Sequence, residues 1–189
     1  MRTTFPSPSP GRDRAADPRR VLIGLGSNVE PEENLRQAAK MLGEHWPAIR
    51  FSSVYRTAPR EYADQPDFLN AAAVVETDES PEQILAALGA MEQVLGKSPS
   101  FRFGPRTIDL DLLLYGEEIL PSRSEWGRTR AEDELTVPHP RLHERRFVLE
   151  PLRELMGPGQ MHPALAQPLS ELLRETKDQR CERTQIVLP

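Results

Sequence analysis

The order in which apolar patterns follow one another constrains the fold of this chain more than any other feature of its 189 residues. A short apolar run is followed by a helical pattern, two further strand patterns, a second helical pattern and a last strand. The predicted strands are 20–27, 49–57, 69–77 and 107–115, and the predicted helices are 31–46 and 81–95. This βαββαβ order predicts a ferredoxin-like α+β sandwich, with helices packed on an antiparallel sheet.

The second helix has the clearest boundaries. Ser80 can cap it, Pro81 suits its first position, and Gln83 can complete a capping box. Gly96 then provides a stop signal. Further along the chain, the patterns predict a hairpin and polar loop over 116–134, short helices over 147–155 and 169–176, and a terminal strand or tail over 183–189.

The ends and the composition limit the class of protein. We expect residues 1–19, rich in proline and arginine, to be a disordered tail, and residues 20–189 to form a single domain. A net charge of -5 argues against general nucleic-acid binding. There is no apolar run of the ~20 residues that a membrane span needs, and Cys181 alone permits no intrachain disulfide. We therefore predict a soluble, cytoplasmic chain, a monomer whose partners are small molecules.

Three short motifs suggest a nucleotide-binding site or a zinc site, but each lacks a residue or a structural context that such a site needs. The segment "GLGSNV" has Val29 where a dinucleotide-binding fingerprint needs its last glycine. The segment "LGKS" has Met91 where a P-loop needs its first glycine, and a helix precedes it rather than a strand. His139 and His143 are four residues apart, as zinc ligands on a helix would be, but prolines flank His139 on both sides.

Two aspartates interrupt the strand "TIDLDLLLY". Side chains alternate between the faces of a strand, so Asp109 and Asp111 share one face, opposite Ile108 and Leu110. The simpler interpretation is a half-buried strand that shows its polar face to water. However, aspartate is disfavoured in strands, and like charges on one face repel unless a cation lies between them. Magnesium, which binds one or two carboxylates together with substrate phosphates, suits this pattern.

Cationic side chains surround these acids in the sequence. Arginine pairs with phosphate oxygens through a planar fork, although a solvated charged surface explains most arginine clusters. The combination of acids for a metal and bases for phosphate favours a phosphorylated ligand. The cations are Lys97, Arg102 and Arg106 before the aspartates and His139, Arg141, Arg145 and Arg146 after them.

Several motifs together resemble the 6-hydroxymethyl-7,8-dihydropterin pyrophosphokinase family of folate biosynthesis. They are "GLGSN", "SSVYRTAP", "DQPDFLNAAAVVET", "GPRTIDLDLLLYG" and "LTVPHPRLHERRFVLEPL", in order from about residue 21 to about residue 155. The resemblance implies a ferredoxin-like fold and transfer of diphosphate from ATP to the hydroxymethyl group of the reduced pterin, with release of AMP. It also implies that Asp109 and Asp111 hold two Mg²⁺ ions that bridge the ATP phosphates.

The resemblance carries site roles to matching positions. It implies that the catalytic residues are Lys97, Arg106, Asp109 and Asp111. It implies that the pterin is bound by Thr57, Phe68, Asn70 and Phe147, and ATP by Glu92, Arg102, Thr136, His139 and Arg145.

Two departures from the family pattern stand out. Lys97 occupies a position where the family often has arginine, which replaces a bidentate clamp by a point charge. Arg60 occupies a position where leucine can contact the pterin. Two other functions remain open: a metal-dependent phosphohydrolase or nuclease that uses the same aspartates, and a non-catalytic ferredoxin-like ligand-binding module.

Overall fold

The computed structural model describes residues 18–60, 64–97, 104–128, 135–157 and 159–189. Its main sheet is antiparallel, with strands in the order β5-β1-β4-β3-β8 and a short β2 that also pairs with β4. The elements are β1 (Arg19–Ser27), α1 (Pro31–His45), β2 (Arg50–Phe51), β3 (Tyr55–Thr57), β4 (Phe68–Thr77), α2 (Pro81–Val94), β5 (Asp109–Tyr115), α3 (Arg146–Met156), β6 (Met161–His162), β7 (Gln167–Pro168), α4 (Leu169–Glu175) and β8 (Cys181–Arg183).

Each face of this sheet buries its own hydrophobic cluster. Alternation along β1 sends Val21, Ile23 and Leu25 to the face covered by α1 and α2, while Leu22 points to the face covered by α3 and α4. A register irregularity opposite Leu22 and Ile23 places the consecutive residues Leu113 and Leu114 of β5 in the same cluster, under α3 and α4. Helices therefore cover both faces of the sheet, whereas the prediction specified only that helices pack on it.

The predicted α+β class and antiparallel sheet are confirmed, whereas some local predictions are wrong. The single strand predicted over 49–57 is two short strands, β2 and β3, because residues 52–54 leave the ladder. Within the described part of 116–134 there is no hairpin. Leu120 instead forms an isolated bridge with Val137. The last strand, Cys181–Arg183, overlaps the segment predicted as a terminal strand or tail only at Arg183, and the small β6–β7 hairpin was not predicted.

Helix α2 and the turn that follows it bring the side chains of Glu92 and Lys97 to β5. Its capping box forms as predicted, with the Gln83 amide donating to Ser80 Oγ at 3.3 Å and the Ser80 amide donating to Gln83 Oε1 at 2.8 Å. Gly96 has a φ of 76°, a left-handed conformation that favours glycine. The chain then turns back so that the Lys97 amide donates to the Glu92 carbonyl at 2.9 Å.

The two ends of the chain lie differently with respect to this framework. Strand β1 begins at Arg19, and residues 1–17, most of the predicted tail, lie outside the described residues. Strand β8 covers the edge of β3, and Leu188 is buried in the cluster under α1 and α2. None of the helices in the described ranges is long and apolar enough to cross a bilayer.

Candidate active site

A cleft opens on the sheet face that carries α3. It encloses about 840 Å³, counted to its open mouth. Eight of the thirteen predicted site residues line it, contributed by strands, loops and the start of α3. These are Thr57, Phe68, Asn70, Arg106, Asp109, Asp111, Arg145 and Phe147.

Two glycines of β1 form the floor of the cleft. Gly26 is paired with Asp109 on one side and Asn70 on the other, and Gly24 is paired with Asp111 on one side. A Cβ on Gly26 would lie 3.0 Å from Asn70 Oδ1. Glycine thus keeps open the space between the carboxylates and the amide. Sequence reasoning tested these glycines only as part of a nucleotide fingerprint and missed this role.

The wall on the β3–β4 side presents an oriented amide. Asn70 is 5% exposed, and its Nδ2 donates to Thr57 Oγ1 at 2.8 Å. This bond fixes the amide and leaves Oδ1 and a second N–H available to a ligand. Phe68, paired with Thr57 across the strands, lines the same wall, and Phe147 lines the cleft from α3.

On the acidic side of the cleft, two cationic side chains bond to the carboxylate of Asp109. Lys97 Nζ lies 2.8 Å from Asp109 Oδ1, and Arg106 donates to the other oxygen of the same carboxylate. Glu92 Oε1 accepts from Lys97 Nζ at 2.6 Å and from the Leu110 amide at 2.7 Å. Glu92 therefore ties the end of α2 to the start of the aspartate-bearing strand, which supports a positioning role.

The electrostatics of Asp111 differ from those of its neighbour. Burial and the charge of Asp109 raise the pKa of Asp111 to about 7, although Arg145, Arg106 and Lys97 act in the opposite direction. Burial lowers the pKa of Lys97, but the carboxylates of Asp109 and Glu92 outweigh that effect and raise it. Burial therefore penalises the charged form of the Asp111 carboxylate, and a cation bound beside it would favour ionisation.

The remaining predicted residues are less central. His139 is held beside β5, since its amide donates to the Leu113 carbonyl at 2.9 Å. Burial and the charge of Arg145 lower its pKa to about 4, so the ring is neutral near pH 7. Thr136 is buried next to the Leu120–Val137 bridge, outside the cleft lining. Arg102 lies outside the described residues.

Arg146 does not line the cleft. Its guanidinium donates to Glu150 at 2.6 Å and to the Leu173 carbonyl at 3.2 Å. These contacts attach the start of α3 to α4, so Arg146 serves the framework rather than the cationic cluster.

Asn28 is a further site residue that sequence reasoning missed. It is 3% exposed; its Oδ1 accepts from the Arg106 amide at 2.7 Å, and its Nδ2 donates to Gln65 Oε1 at 3.0 Å. It thus holds together the loop before β5 and the loop before β4. The only sequence signal for it was its place in "GLGSN", because a buried polar side chain at a strand end cannot be recognised before its partners are known.

The donor set suits a hard cation. The described ranges contain no group of three or more histidine, cysteine or acidic side chains placed to hold a metal. Asp109 and Asp111 instead offer carboxylate oxygens at successive same-face positions of β5. Magnesium typically uses one or two carboxylates and takes its other ligands from water and substrate phosphates. The residues present therefore fit Mg²⁺ bound together with a phosphorylated substrate.

The fold has relatives among solved structures. The chain superimposes on the crystal structure of a Plasmodium falciparum HPPK-DHPS triple mutant with pteroate, with a TM-score of 0.62 and 15% sequence identity. The superposition covers 84% of this chain and 43% of that one. This likeness confirms the ferredoxin-like α+β class.

Sequence comparison assigns the family. Residues 22–157 match the family model of 7,8-dihydro-6-hydroxymethylpterin-pyrophosphokinase (HPPK), and the chain belongs to this family of diphosphotransferases. It is 40% identical over 138 residues to 2-amino-4-hydroxy-6-hydroxymethyldihydropteridine pyrophosphokinase of Bacillus subtilis, covering 71% of this chain and 77% of that enzyme. It is also 42% identical over 139 residues to a mitochondrial folate synthesis bifunctional protein of Pisum sativum. That match covers 72% of this chain but only 25% of the pea protein.

Proposed function

We propose that this chain transfers diphosphate from ATP to the hydroxymethyl oxygen of 6-hydroxymethyl-7,8-dihydropterin and releases AMP, a step in folate biosynthesis. The observation that carries the proposal is the convergence of two unlike surfaces on one cleft. One surface carries the oriented amide of Asn70 and the rings of Phe68 and Phe147. The other carries the carboxylates of Asp109 and Asp111 with cationic side chains beside them. Family membership supports the same reaction.

The pterin occupies the side of the cleft formed by β3, β4 and α3. Asn70, oriented by Thr57, pairs with the donor and acceptor edge of the pyrimidinone ring. Phe68 and Phe147 stack on the flat heterocycle. The glycine floor lets the hydroxymethyl group reach the acidic side.

The diphosphate and the metal occupy the side formed by β5. Asp109 and Asp111 would hold two Mg²⁺ ions, which would supply positive charge against the phosphates. Lys97, Arg106 and Arg145 surround the transferred group, and Glu92 keeps Lys97 in place. Charge neutralisation and alignment of the hydroxyl with the phosphorus lower the barrier without requiring a dedicated general base.

The rest of the nucleotide lies beyond the phosphates. Thr136 and His139 contact the nucleotide, with the neutral imidazole of His139 acting as a hydrogen-bonding group. We propose from the family resemblance that Arg102 also binds ATP. We expect the chain to act as a cytoplasmic monomer, and its elution volume on a sizing column checks the oligomeric state.

One product assay separates the candidate functions. Purified protein is incubated with ATP, Mg²⁺ and the reduced pterin, and nucleotide products are resolved by chromatography. The proposed reaction gives AMP only when the pterin is present. A phosphohydrolase gives ADP or phosphate without pterin, and a non-catalytic module binds its ligands with no turnover. Either of the last two results would contradict the proposal.

A further inference from the structure

A segment beyond the family match connects the start of α3 to strand β3 beside the cleft. The match ends at residue 157, whereas residues 179–183 form a strap that contacts both α3 and β3. Gln179 is its first residue, and β8 is its end. Several of the residues that the strap contacts belong to the set proposed to bind the pterin or lie next to it in the sequence.

Gln179 holds the start of α3. Its Oε1 accepts from the Arg146 amide at 2.9 Å, and its Nε2 donates to the Glu144 carbonyl at 2.9 Å. The first amides of a helix have no partner inside the helix, and the N-cap residue Arg145 makes no side-chain cap. Gln179 therefore bonds to the backbone of Glu144 and of Arg146, the residues on either side of Arg145. Arg146 directly precedes Phe147.

The rest of the strap holds the opposite wall. Cys181 is paired with Thr57 in the β3–β8 ladder. Arg180 forms an ion pair with Asp67 at 3.3 Å, next to Phe68. The Glu144 carbonyl also accepts from Arg60, a cleft residue, at 2.7 Å. The strap thus sets the spacing between the wall with Thr57 and Phe68 and the wall with Phe147.

We propose that Gln179 is a positioning residue for pterin binding, because it fixes the start of α3 relative to β3. It does not line the cleft, so it acts through Arg145 and Phe147. This inference rests on the proposed function, since it assumes that the cleft takes the pterin. It predicts that the two side-chain bonds of Gln179 affect the binding of this substrate more than they affect folding.

The test compares variants of the full chain. Gln179→Leu removes both bonds at nearly constant volume, and Gln179→Glu keeps the acceptor for the Arg146 amide. Gln160→Leu is the matched control, since this half-buried glutamine donates one bond, to the Met161 carbonyl, on a different segment. For each protein, KM for pterin and ATP, kcat, the pterin Kd by fluorescence, and Tm are measured.

We expect Gln179→Leu to raise the KM and Kd for pterin about tenfold, as loss of oriented hydrogen bonds does. Gln179→Glu should recover most of this loss, and Gln160→Leu should match the wild type. The proposal is overturned if folded Gln179→Leu binds pterin like the wild type, or if the control shows the same defect. If Gln179→Leu does not fold, Gln179→Lys, which keeps only the donor, is measured in the same way, and wild-type binding overturns the proposal again.

The two proposals fail differently. If the wild type releases no AMP but binds the pterin, the proposed reaction is wrong, and the Kd values still test Gln179. If the wild type is active and its pterin affinity is independent of Gln179, the positioning role is wrong and the reaction stands.

Discussion

The carboxylate of Glu92 lies 2.6 Å from the ammonium group of Lys97, and the same oxygen accepts the Leu110 amide at 2.7 Å. One acidic side chain thus connects the end of α2, a cation of the cleft and the strand that carries both aspartates. Because Lys97 also reaches Asp109, the position of this cation depends on two carboxylates.

Glu92→Gln is expected to lower kcat about tenfold, because an amide can still accept the Leu110 N–H but no longer forms an ion pair with Lys97. Steady-state kinetics and thermal unfolding measure the effect. Glu44→Gln, which changes an exposed partner of Lys40 at 3.9 Å, is the control. An unchanged kcat in Glu92→Gln would show that Lys97 does not need this partner.

Gly26→Ala is expected to raise the KM for pterin about tenfold, because a new methyl group 3.0 Å from Asn70 Oδ1 must displace the amide. Gly89→Ala, on α2 with nothing within 4 Å of its added Cβ, is the control and should be neutral or slightly stabilising. Equal KM values for wild type and Gly26→Ala would remove Asn70 from the pterin site.

Asp109→Ala and Asp111→Ala are each expected to reduce turnover by a factor of at least about a thousand while the chain remains folded, because the metal loses an oxygen ligand. Activity and circular dichroism are measured side by side. Asp64→Ala, in the loop before β4, is the control. Near-normal activity of either variant in Mg²⁺ would refute the metal assignment.

Chelation of divalent ions is expected to weaken ATP binding strongly and pterin binding little, because only the phosphate side of the cleft is proposed to use Mg²⁺. Calorimetric titration of each ligand, with and without EDTA, measures the difference. ATP affinity that is the same in both buffers would contradict the proposed role of the carboxylate pair.

Acid is expected to destabilise the chain through His162. Burial, with a contribution from His143, lowers the pKa of His162 to about 4, so the folded state holds the neutral ring. The unfolded chain takes up a proton below pH of about 6.5, so the stability that His162 contributes is complete above that pH and is lost between it and about 4. The full loss is on the order of 3 kcal/mol.

Urea unfolding of wild type and His162→Asn between pH 4 and 8 tests this linkage. The shorter side chain retains an acceptor for the Leu165 amide, which bonds to His162 Nδ1 at 3.2 Å. The stability difference between the two proteins should shrink as the pH falls. His45→Asn, at an exposed position of α1, is the control. Parallel pH profiles for wild type and His162→Asn would exclude His162 as the source.

The sequence by itself determined the fold class, the start and end of α2, and the shared face of Asp109 and Asp111. These features depend on periodicity and local hydrogen bonding, which act over a few residues. The resemblance to the family also named eight of the residues that line the cleft. It did not reveal that Gly26 separates Asp109 from Asn70, because strand register sets that relationship.

Only the tertiary structure decided which distant groups meet. The Arg106 amide bonds to Asn28, 78 positions away, and the Arg146 amide bonds to Gln179, 33 positions away. Neither partner belongs to a local pattern, since an amide side chain in a loop has many possible partners until the chain closes around it. The short β2, β3 and β8 escaped correct prediction for a related reason: strands of two or three residues are stabilised by their neighbours in the sheet rather than by their own sequence.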